Sequence, residues 1–222
     1  MLFETDELVE RVTRAVIGRL PVEPAPRGME VPIGVSVRHI HLTVRDVEIL
    51  FGEGHQMQPF NELYQKGYYA AKEQVLVVGP KGALKNVRVL GPPRGVSQVE
   101  LAQTDALSIG LRLSLASEGR DAETQAVTLV GPEGTIRLPG GAGGGAFVVR
   151  RHVHLSDEDA RGLGVKAGDL VDLKIGGPRA ATLHDVLVRT APGWRPEVHL
   201  DTDEANACWV RTGQTGMLMV RG

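Results

Sequence analysis

The chain contains the same short motif twice, and each copy carries two histidines. Residues 37–43 read Val-Arg-His-Ile-His-Leu-Thr, and residues 150–156 read Arg-Arg-His-Val-His-Leu-Ser. Alternate residues of a β-strand face the same way, so each copy places two imidazoles side by side, with Cα atoms about 7 Å apart. Two such nitrogens can bind one metal ion at roughly 2.0–2.1 Å, the distance typical of zinc. Solvated strand histidines are the alternative, and the duplication disfavours it.

The two halves match beyond these motifs. Thr43 and Ser156 each follow a histidine pair as the N-cap of a predicted short helix. Residues 99–106 also resemble residues 198–205, and aligning their valines sets Glu100 opposite His199. Each half therefore offers a His-x-His pair and one later nitrogen or oxygen ligand. The 28 glycines and 13 prolines suggest many turns between short strands, so the predicted fold class is mainly β with short helices.

Charge and composition exclude several classes of protein. Lys and Arg total 25 and Asp and Glu total 27, so no net field attracts nucleic acid or an anionic membrane. The single Cys208 excludes an internal disulfide framework and a cysteine-rich zinc module. Apolar runs such as residues 75–78 have only the length of a strand, and the acidic start does not match a signal peptide. We therefore expect neither nucleic acid nor a membrane as a partner.

The first 30 residues differ from the rest of the chain. Residues 1–20 predict an amphipathic helix, with Leu8, Val12 and Val16 on one stripe. Residues 21–30 include three prolines within six positions, which is typical of a stiff and extended linker. A short helix held away from the body suggests a docking element. The alternative is that the helix packs back on its own domain or on a sister subunit.

Six side chains form the candidate ligand set for metal binding. They are His39, His41, Glu100, His152, His154 and His199. Six nitrogen and oxygen ligands exceed what one tetrahedral zinc ion needs. The sequence therefore favours either two nearby metal ions or one ion with an additional polar shell. Zinc is the first candidate, and cobalt, manganese and iron remain alternatives because no thiolate is present.

Two arginines are candidates for binding an anion. Arg88 lies within a predicted strand, and Arg94 lies on a Pro-Pro-Arg-Gly turn just before the strand that carries Glu100. An arginine held beside a metal site can grip phosphate with two parallel hydrogen bonds. Arg94 is therefore the candidate catalytic residue for phosphate, and a plain surface arginine is the alternative.

Several motifs together match a known family. They are residues 38–42 (Arg-His-Ile-His-Leu), 87–94 (Val-Arg-Val-Leu-Gly-Pro-Pro-Arg), 98–100 (Gln-Val-Glu), 151–155 (Arg-His-Val-His-Leu) and 199–207 (His-Leu-Asp-Thr-Asp-Glu-Ala-Asn-Ala). On these motifs, residues 31–222 resemble the PduL-type phosphate propanoyltransferases (phosphotransacylases) of bacterial microcompartments. The resemblance implies two pseudo-repeated small β-barrel domains capped by short α-helices. Residues 38–150 would form the first barrel, and residues 31–37 with 151–222 the second.

The resemblance also implies a ligand set and a reaction. Two zinc ions would bind per chain, one to His39 and His41, and the other to Glu100 and the three remaining histidines. Arg94 matches the phosphate-handling arginine of the family. Positions matching coenzyme A contacts are Ser36, Arg88, Leu90, His199 and Asn206. The implied reaction converts a short-chain acyl-CoA and phosphate into an acyl-phosphate and coenzyme A.

The same resemblance gives expectations about location and partners. The helix at residues 1–20 resembles an encapsulation peptide that docks on a shell protein, which implies the lumen of a bacterial microcompartment. A homo-oligomer, dimeric or larger, is also expected.

Two rival functions are compatible with parts of the pattern. A cupin-like metal oxygenase also uses a His-x-His motif, a glutamate and a later histidine, but its glutamate follows the histidine pair within a few residues. A cargo or scaffold protein could use metal ions only to brace a duplicated β-fold. Closed coordination without a solvent position would favour the scaffold.

Overall fold

The computed structural model describes residues 9–13, 15, 28–117, 121 and 123–221. Residues 9–13 and 15 are helical and exposed, including Val9 and Val12. The rest of the predicted helix at residues 1–20, and residues 21–27 of the predicted linker, lie outside the described residues. In the part of the chain that is described, no helix has both the length and the apolar character needed to span a membrane.

Strands make up most of the secondary structure. In the described residues the strands are β1 (Gly28–Ser36), β2 (His39–His41), β3 (Pro59–Glu62), β4 (Tyr69–Gly79), β5 (Gly82–Gly91), β6 (Gln98–Glu100), β7 (Leu115–Ala116), β8 (Val127–Val130), β9 (Thr135–Leu138), β10 (Ala146–Val149), β11 (His152–Leu155), β12 (Leu170–Ile175), β13 (Ala181–Thr190), β14 (Glu197–Asp201) and β15 (Thr215–Met219). The α-helices there are α1 (Val44–Phe51), α2 (Gln103–Ser108), α3 (Asp157–Leu163) and α4 (Thr202–Cys208), and Gly141–Gly143 forms a 3-10 turn.

One unit of the fold is a closed six-stranded barrel. Its strand order is β1-β14-β11-β13-β12-β15, with β15 returning to β1. Strand periodicity explains its core, because alternate apolar residues such as Val198 and Leu200 of β14 point inward and are fully buried. The residues between them point the other way, so His199 faces away from this core.

The other unit is a nine-stranded sheet that curls into a half-barrel. Its order is β7-β10-β6-β2-β5-β4-β8-β9, and β3 pairs with β4. Its core includes Ile40 of β2, Val89 of β5 and Val99 of β6, all fully buried. The predicted fold class, mainly β with two related barrel-like units and short helices, is confirmed, with one unit closed and the other open.

The two units repeat the same pairing around each histidine pair. Strand β2 lies parallel to β5 and antiparallel to β6, and β11 lies parallel to β13 and antiparallel to β14. The strand before each pair crosses to the opposite unit, since β1 pairs with β14 and β10 pairs with β6. This exchange brings the two histidine pairs together. β1 begins at Gly28, so residues 28–30 belong to a strand and not to the predicted linker.

A capped helix follows each histidine pair, as predicted. The Thr43 hydroxyl accepts a hydrogen bond from the Asp46 backbone N–H at the start of α1, and Ser156 accepts one from Asp159 at the start of α3. Each bond satisfies a backbone donor that has no partner within the helix, which stabilises the helix by about 1 kcal/mol. The caps therefore fix the chain direction directly after each pair of imidazoles.

Candidate functional site

The first cluster of ligand side chains lies where β2 meets β6. His39 lies directly opposite Glu100 in the antiparallel register of these strands. The Glu100 carboxylate contacts both imidazoles, with Oε2 at 3.3 Å from Nε2 of His39 and Oε1 at 3.6 Å from Nε2 of His41. Ligand atoms of all three residues lie within 4.8 Å of one another, which is a spacing that one metal ion can bridge.

The second cluster occupies the equivalent place in the barrel. His152 lies directly opposite His199 in the register of β11 and β14. The ring centroid of His199 is 4.9 Å from that of His152 and 4.6 Å from that of His154. Ligand atoms of these three histidines also lie within 4.8 Å of one another. The alignment of Glu100 with His199 is therefore reproduced in three dimensions.

Hydrogen bonds orient one histidine of each pair. The Nδ1–H of His39 donates to the Val37 carbonyl at 2.8 Å, and that of His152 donates to the Arg150 carbonyl at 2.9 Å. Each bond leaves the Nε2 lone pair of that ring available for a metal ion. The Nδ1 atoms of His41 and His154 are buried without a hydrogen-bond partner among the described residues. Buried nitrogens of this kind are suited to a bound cation.

The charges of the first cluster favour an ionised carboxylate. Burial alone would raise the pKa of Glu100, but His39, His41 and Arg94 hold it well below its usual value. Burial lowers the pKa of His39, and the opposing charge of Glu100 outweighs it, so the pKa is raised. Burial and the neighbouring His39 lower the pKa of His41 well below its usual value. The cluster therefore holds one carboxylate and a neutral His41 at neutral pH.

Two histidines of the second cluster, His152 and His154, favour the neutral form. Burial lowers the pKa of His152 well below its usual value, with further lowering from Arg189 and the neighbouring histidines. Burial, together with His199 and Arg189, lowers the pKa of His154 to about 3. Neutral imidazole is the form that binds metal ions, so these rings are ready to act as ligands at neutral pH.

Both clusters line a single cleft between the two units. The cleft has a volume of about 800 Å³. Predicted site residues that line it are His39, His41, Glu100, His152, His154, His199, Arg94, Ser36, Arg88 and Leu90. Asn206 is exposed on α4 and is not among the lining residues. Its contact with coenzyme A stays a prediction. β6 places Glu100 beside His39 and His41, and which of the two ions Glu100 binds stays a prediction.

Arg94 and Arg88 both line this cleft, and hydrogen bonds to backbone carbonyls fix their positions. The backbone N–H of Arg94 donates to the Leu42 carbonyl at 2.8 Å, which fixes the turn after β5 against the end of the first histidine motif. The Arg88 Nη1 donates to the Ala71 carbonyl at 2.6 Å, and its guanidinium lies 4.8 Å from the centroid of the Phe60 ring. The cleft therefore presents positive charge beside both ligand clusters, which suits a multiply charged anionic substrate.

Glu197, Trp194 and Gln65 are among the residues that line the cleft but were not predicted. Glu197 lies two positions before His199 on β14, so the period of the strand could have revealed it. Trp194 packs on His154, with ring centroids 4.2 Å apart. The Gln65 side chain donates to the Arg195 carbonyl at 2.7 Å and accepts from its N–H at 3.0 Å. No sequence signal joins these loops, because they are 130 positions apart.

Comparison with known proteins agrees with the geometry. A family model described as phosphate propanoyltransferase matches residues 32–211. The chain is 42% identical to the phosphate propanoyltransferase of Thermotoga maritima, over 94% of this chain and 95% of that protein. It is 44% identical to that of Planctopirus limnophila, over 90% and 85%, and 43% identical to that of Salmonella typhimurium, over 90% and 91%. The chain is therefore an acyltransferase enzyme that belongs to the phosphate propanoyltransferase family.

Proposed function

We propose that this enzyme is a metal-dependent phosphate acyltransferase that interconverts a short-chain acyl-CoA and phosphate with an acyl-phosphate and coenzyme A. Propanoyl-CoA and acetyl-CoA are the proposed substrates. The names of the relatives support the propanoyl group and phosphate. The proposal depends on one observation, which is that two ligand clusters and Arg94 line the same cleft.

The residues of the cleft fit two divalent metal ions. The proposed ligands are His39, His41 and Glu100 for one ion, and His152, His154 and His199 for the other. Nitrogen and oxygen donors in sets of three leave coordination positions open, as catalytic zinc sites do, so zinc is the proposed metal. The buried and unpartnered Nδ1 atoms of His41 and His154, in the part of the chain described, support this assignment. When bound, the ions would supply Lewis acidity for the thioester oxygen and the departing sulfur.

The protein's own residues bind and orient the substrates. Arg94 binds phosphate and holds one of its oxygens near the thioester carbonyl, which lowers the entropic cost of the reaction. A phosphate oxygen forms a bond to the acyl carbon, the carbon–sulfur bond breaks, and the electron pair leaves on the coenzyme A thiolate. Ser36, Arg88 and Leu90, which line the cleft, are the proposed contacts for coenzyme A.

Phosphate-dependent release of free thiol from propanoyl-CoA tests the proposed reaction. Arg94→Ala and His39→Ala are each expected to lose most activity and to stay folded. Arg137→Ala is a control, because Arg137 is exposed on β9 and does not line the cleft. Full activity after complete removal of metal by a chelator would contradict metal dependence. Near-wild-type turnover in Arg94→Ala would remove Arg94 from the mechanism.

We also propose that residues 1–20 dock on a shell protein and that the enzyme acts in the lumen of a bacterial microcompartment, as a homo-oligomer. The exposed Val9 and Val12 of the helical segment support a docking face. Fusing residues 1–27 to a fluorescent reporter tests the location in cells that assemble shells. Punctate fluorescence is expected, and diffuse fluorescence would contradict the proposal.

A further inference from the structure

One buried side chain forms a hydrogen bond with the third ligand of each cluster. Glu197 precedes His199 by two positions on β14, and its Oε2 accepts a hydrogen bond from Nε2 of His199 at 2.9 Å. Gln98 precedes Glu100 by two positions on β6, and its Nε2 donates to Oε1 of Glu100 at 2.8 Å. Both are almost completely buried, with 7% of Glu197 and 6% of Gln98 exposed.

These two residues are equivalent in the repeat. Gln98 lies opposite His41 in the register of β6 with β2, and Glu197 lies opposite His154 in the register of β14 with β11. They differ in hydrogen-bonding role, and each role complements the ligand that the residue contacts. A carboxylate ligand can be oriented by a donor, and Gln98 supplies an amide N–H. An imidazole ligand can be oriented by an acceptor, and Glu197 supplies a carboxylate oxygen.

We propose that Gln98 and Glu197 are positioning residues, each of which orients the third metal ligand of its own cluster. Gln98 does so by donating a hydrogen bond to Glu100, and Glu197 by accepting one from His199. The inference rests on the proposed metal binding. A histidine ligand commonly donates its second ring N–H to a carboxylate or carbonyl, which fixes its tautomer and strengthens its metal bond. His39 and His152 use backbone carbonyls for this purpose. His199 uses Glu197, which leaves its Nδ1 for the metal ion.

The backbone beside Glu197 is shaped to hold its side chain. Gly34 of β1 pairs with His199 in the parallel register of β1 and β14. A Cβ atom at Gly34 would lie 2.7 Å from Oε1 of Glu197 and 3.0 Å from its Cδ, which is too close for the present position. Gly34→Ala therefore offers a second way to displace the carboxylate, without changing Glu197 or any metal ligand.

Zinc affinity measured one cluster at a time tests the inference. In a His41→Ala background only the second cluster remains complete, and in a His154→Ala background only the first. Competition with a chromophoric chelator then gives the dissociation constant of the remaining site. Glu197→Ala is expected to weaken the second site about 10–100-fold, and Gln98→Ala the first site by a similar factor. Each variant in the opposite background is the matched control and is expected to stay within about 2-fold of its parent, by the same reasoning.

Conservative variants separate hydrogen bonding from general packing. Glu197→Gln keeps an oxygen that can accept from His199, so its loss is expected to be smaller than that of Glu197→Ala. Gln98→Glu replaces a donor by an acceptor facing the Glu100 carboxylate, so it is expected to weaken the first site more than Gln98→Ala. If an alanine variant does not fold, Gly34→Ala carries the test for Glu197 and Gln98→Glu carries the test for Gln98.

The outcomes distinguish this inference from the proposed function. A wild-type protein that binds fewer than two zinc ions in the cleft would contradict the proposed pair of metal sites itself. A wild-type protein that binds two, with unchanged affinities in the Glu197 and Gln98 variants, would overturn only the positioning role. Equal weakening of both sites by either variant would also overturn it, because a general loss of packing would then explain the effect.

Discussion

Replacement of Gln65 by alanine should destabilise the protein, because this side chain joins its two units. Gln65 lies in the loop between β3 and β4, and Arg195 lies in the loop between β13 and β14. The Gln65 amide is 6% exposed and makes two hydrogen bonds to the Arg195 backbone, at 2.7 Å and 3.0 Å. Alanine at position 65 can make neither bond.

The expected loss is about 2 kcal/mol in the free energy of unfolding. Each buried hydrogen bond contributes about 1 kcal/mol net. Arg195 is exposed, so its backbone groups can bind water after the substitution, and no large further penalty is expected. The loop also carries Trp194, which packs on His154. The substitution should therefore loosen the wall of the cleft without removing a metal ligand.

Urea unfolding of Gln65→Ala, followed by circular dichroism, measures this loss. Gln56→Ala is the matched control, since Gln56 is exposed in the same unit and the same atoms are removed. The control should lie within about 0.5 kcal/mol of wild type. A Gln65→Ala protein as stable as the control would refute the reasoning that these two bonds hold the units together.

The stability of the protein should also depend on pH and on helix capping. The pKa of His154 is lowered to about 3, mainly by burial. As the pH falls, His154 of metal-free protein is therefore protonated in the unfolded chain at a higher pH than in the folded chain. Stability should therefore fall as the pH drops from about 6.5 towards 3, and His154→Gln should flatten that fall in urea unfolding. An unchanged slope would contradict the assignment. Thr43→Ala should lower the free energy of unfolding by about 1 kcal/mol, because it loses the bond from Asp46, whereas Thr43→Ser should retain most of it in thermal melts.

The repeat in the sequence predicted the centre of the site well. Strand periodicity placed each histidine pair on one face, and the internal alignment set Glu100 opposite His199. Both follow from local pattern, and the structure reproduces both. The family resemblance implied a division of the ligands that separates Glu100 from His39 and His41, and that division of metal binding stays a prediction. The antiparallel pairing of β2 with β6 places these three residues together.

The contacts between the units could not be predicted. The bridge from Gln65 to Arg195 and the packing of Trp194 on His154 join loops that are distant in sequence, and neither loop carries a repeat. The exchange of β1 and β10 between units sets how the loops meet. The strand period shows from the sequence that Glu197 shares a face with His199. A single glutamate on a strand does not by itself indicate a role at a metal site, so Glu197 was not predicted.

The proposed function depends on six side chains that would bind two metal ions in one cleft. The most direct measurement is an anomalous difference map from crystals of the purified protein, collected above the absorption edge of the metal that it carries. We predict two peaks, one among His39, His41 and Glu100 and the other among His152, His154 and His199. A map with a single peak in the cleft, or with none, would contradict the claim.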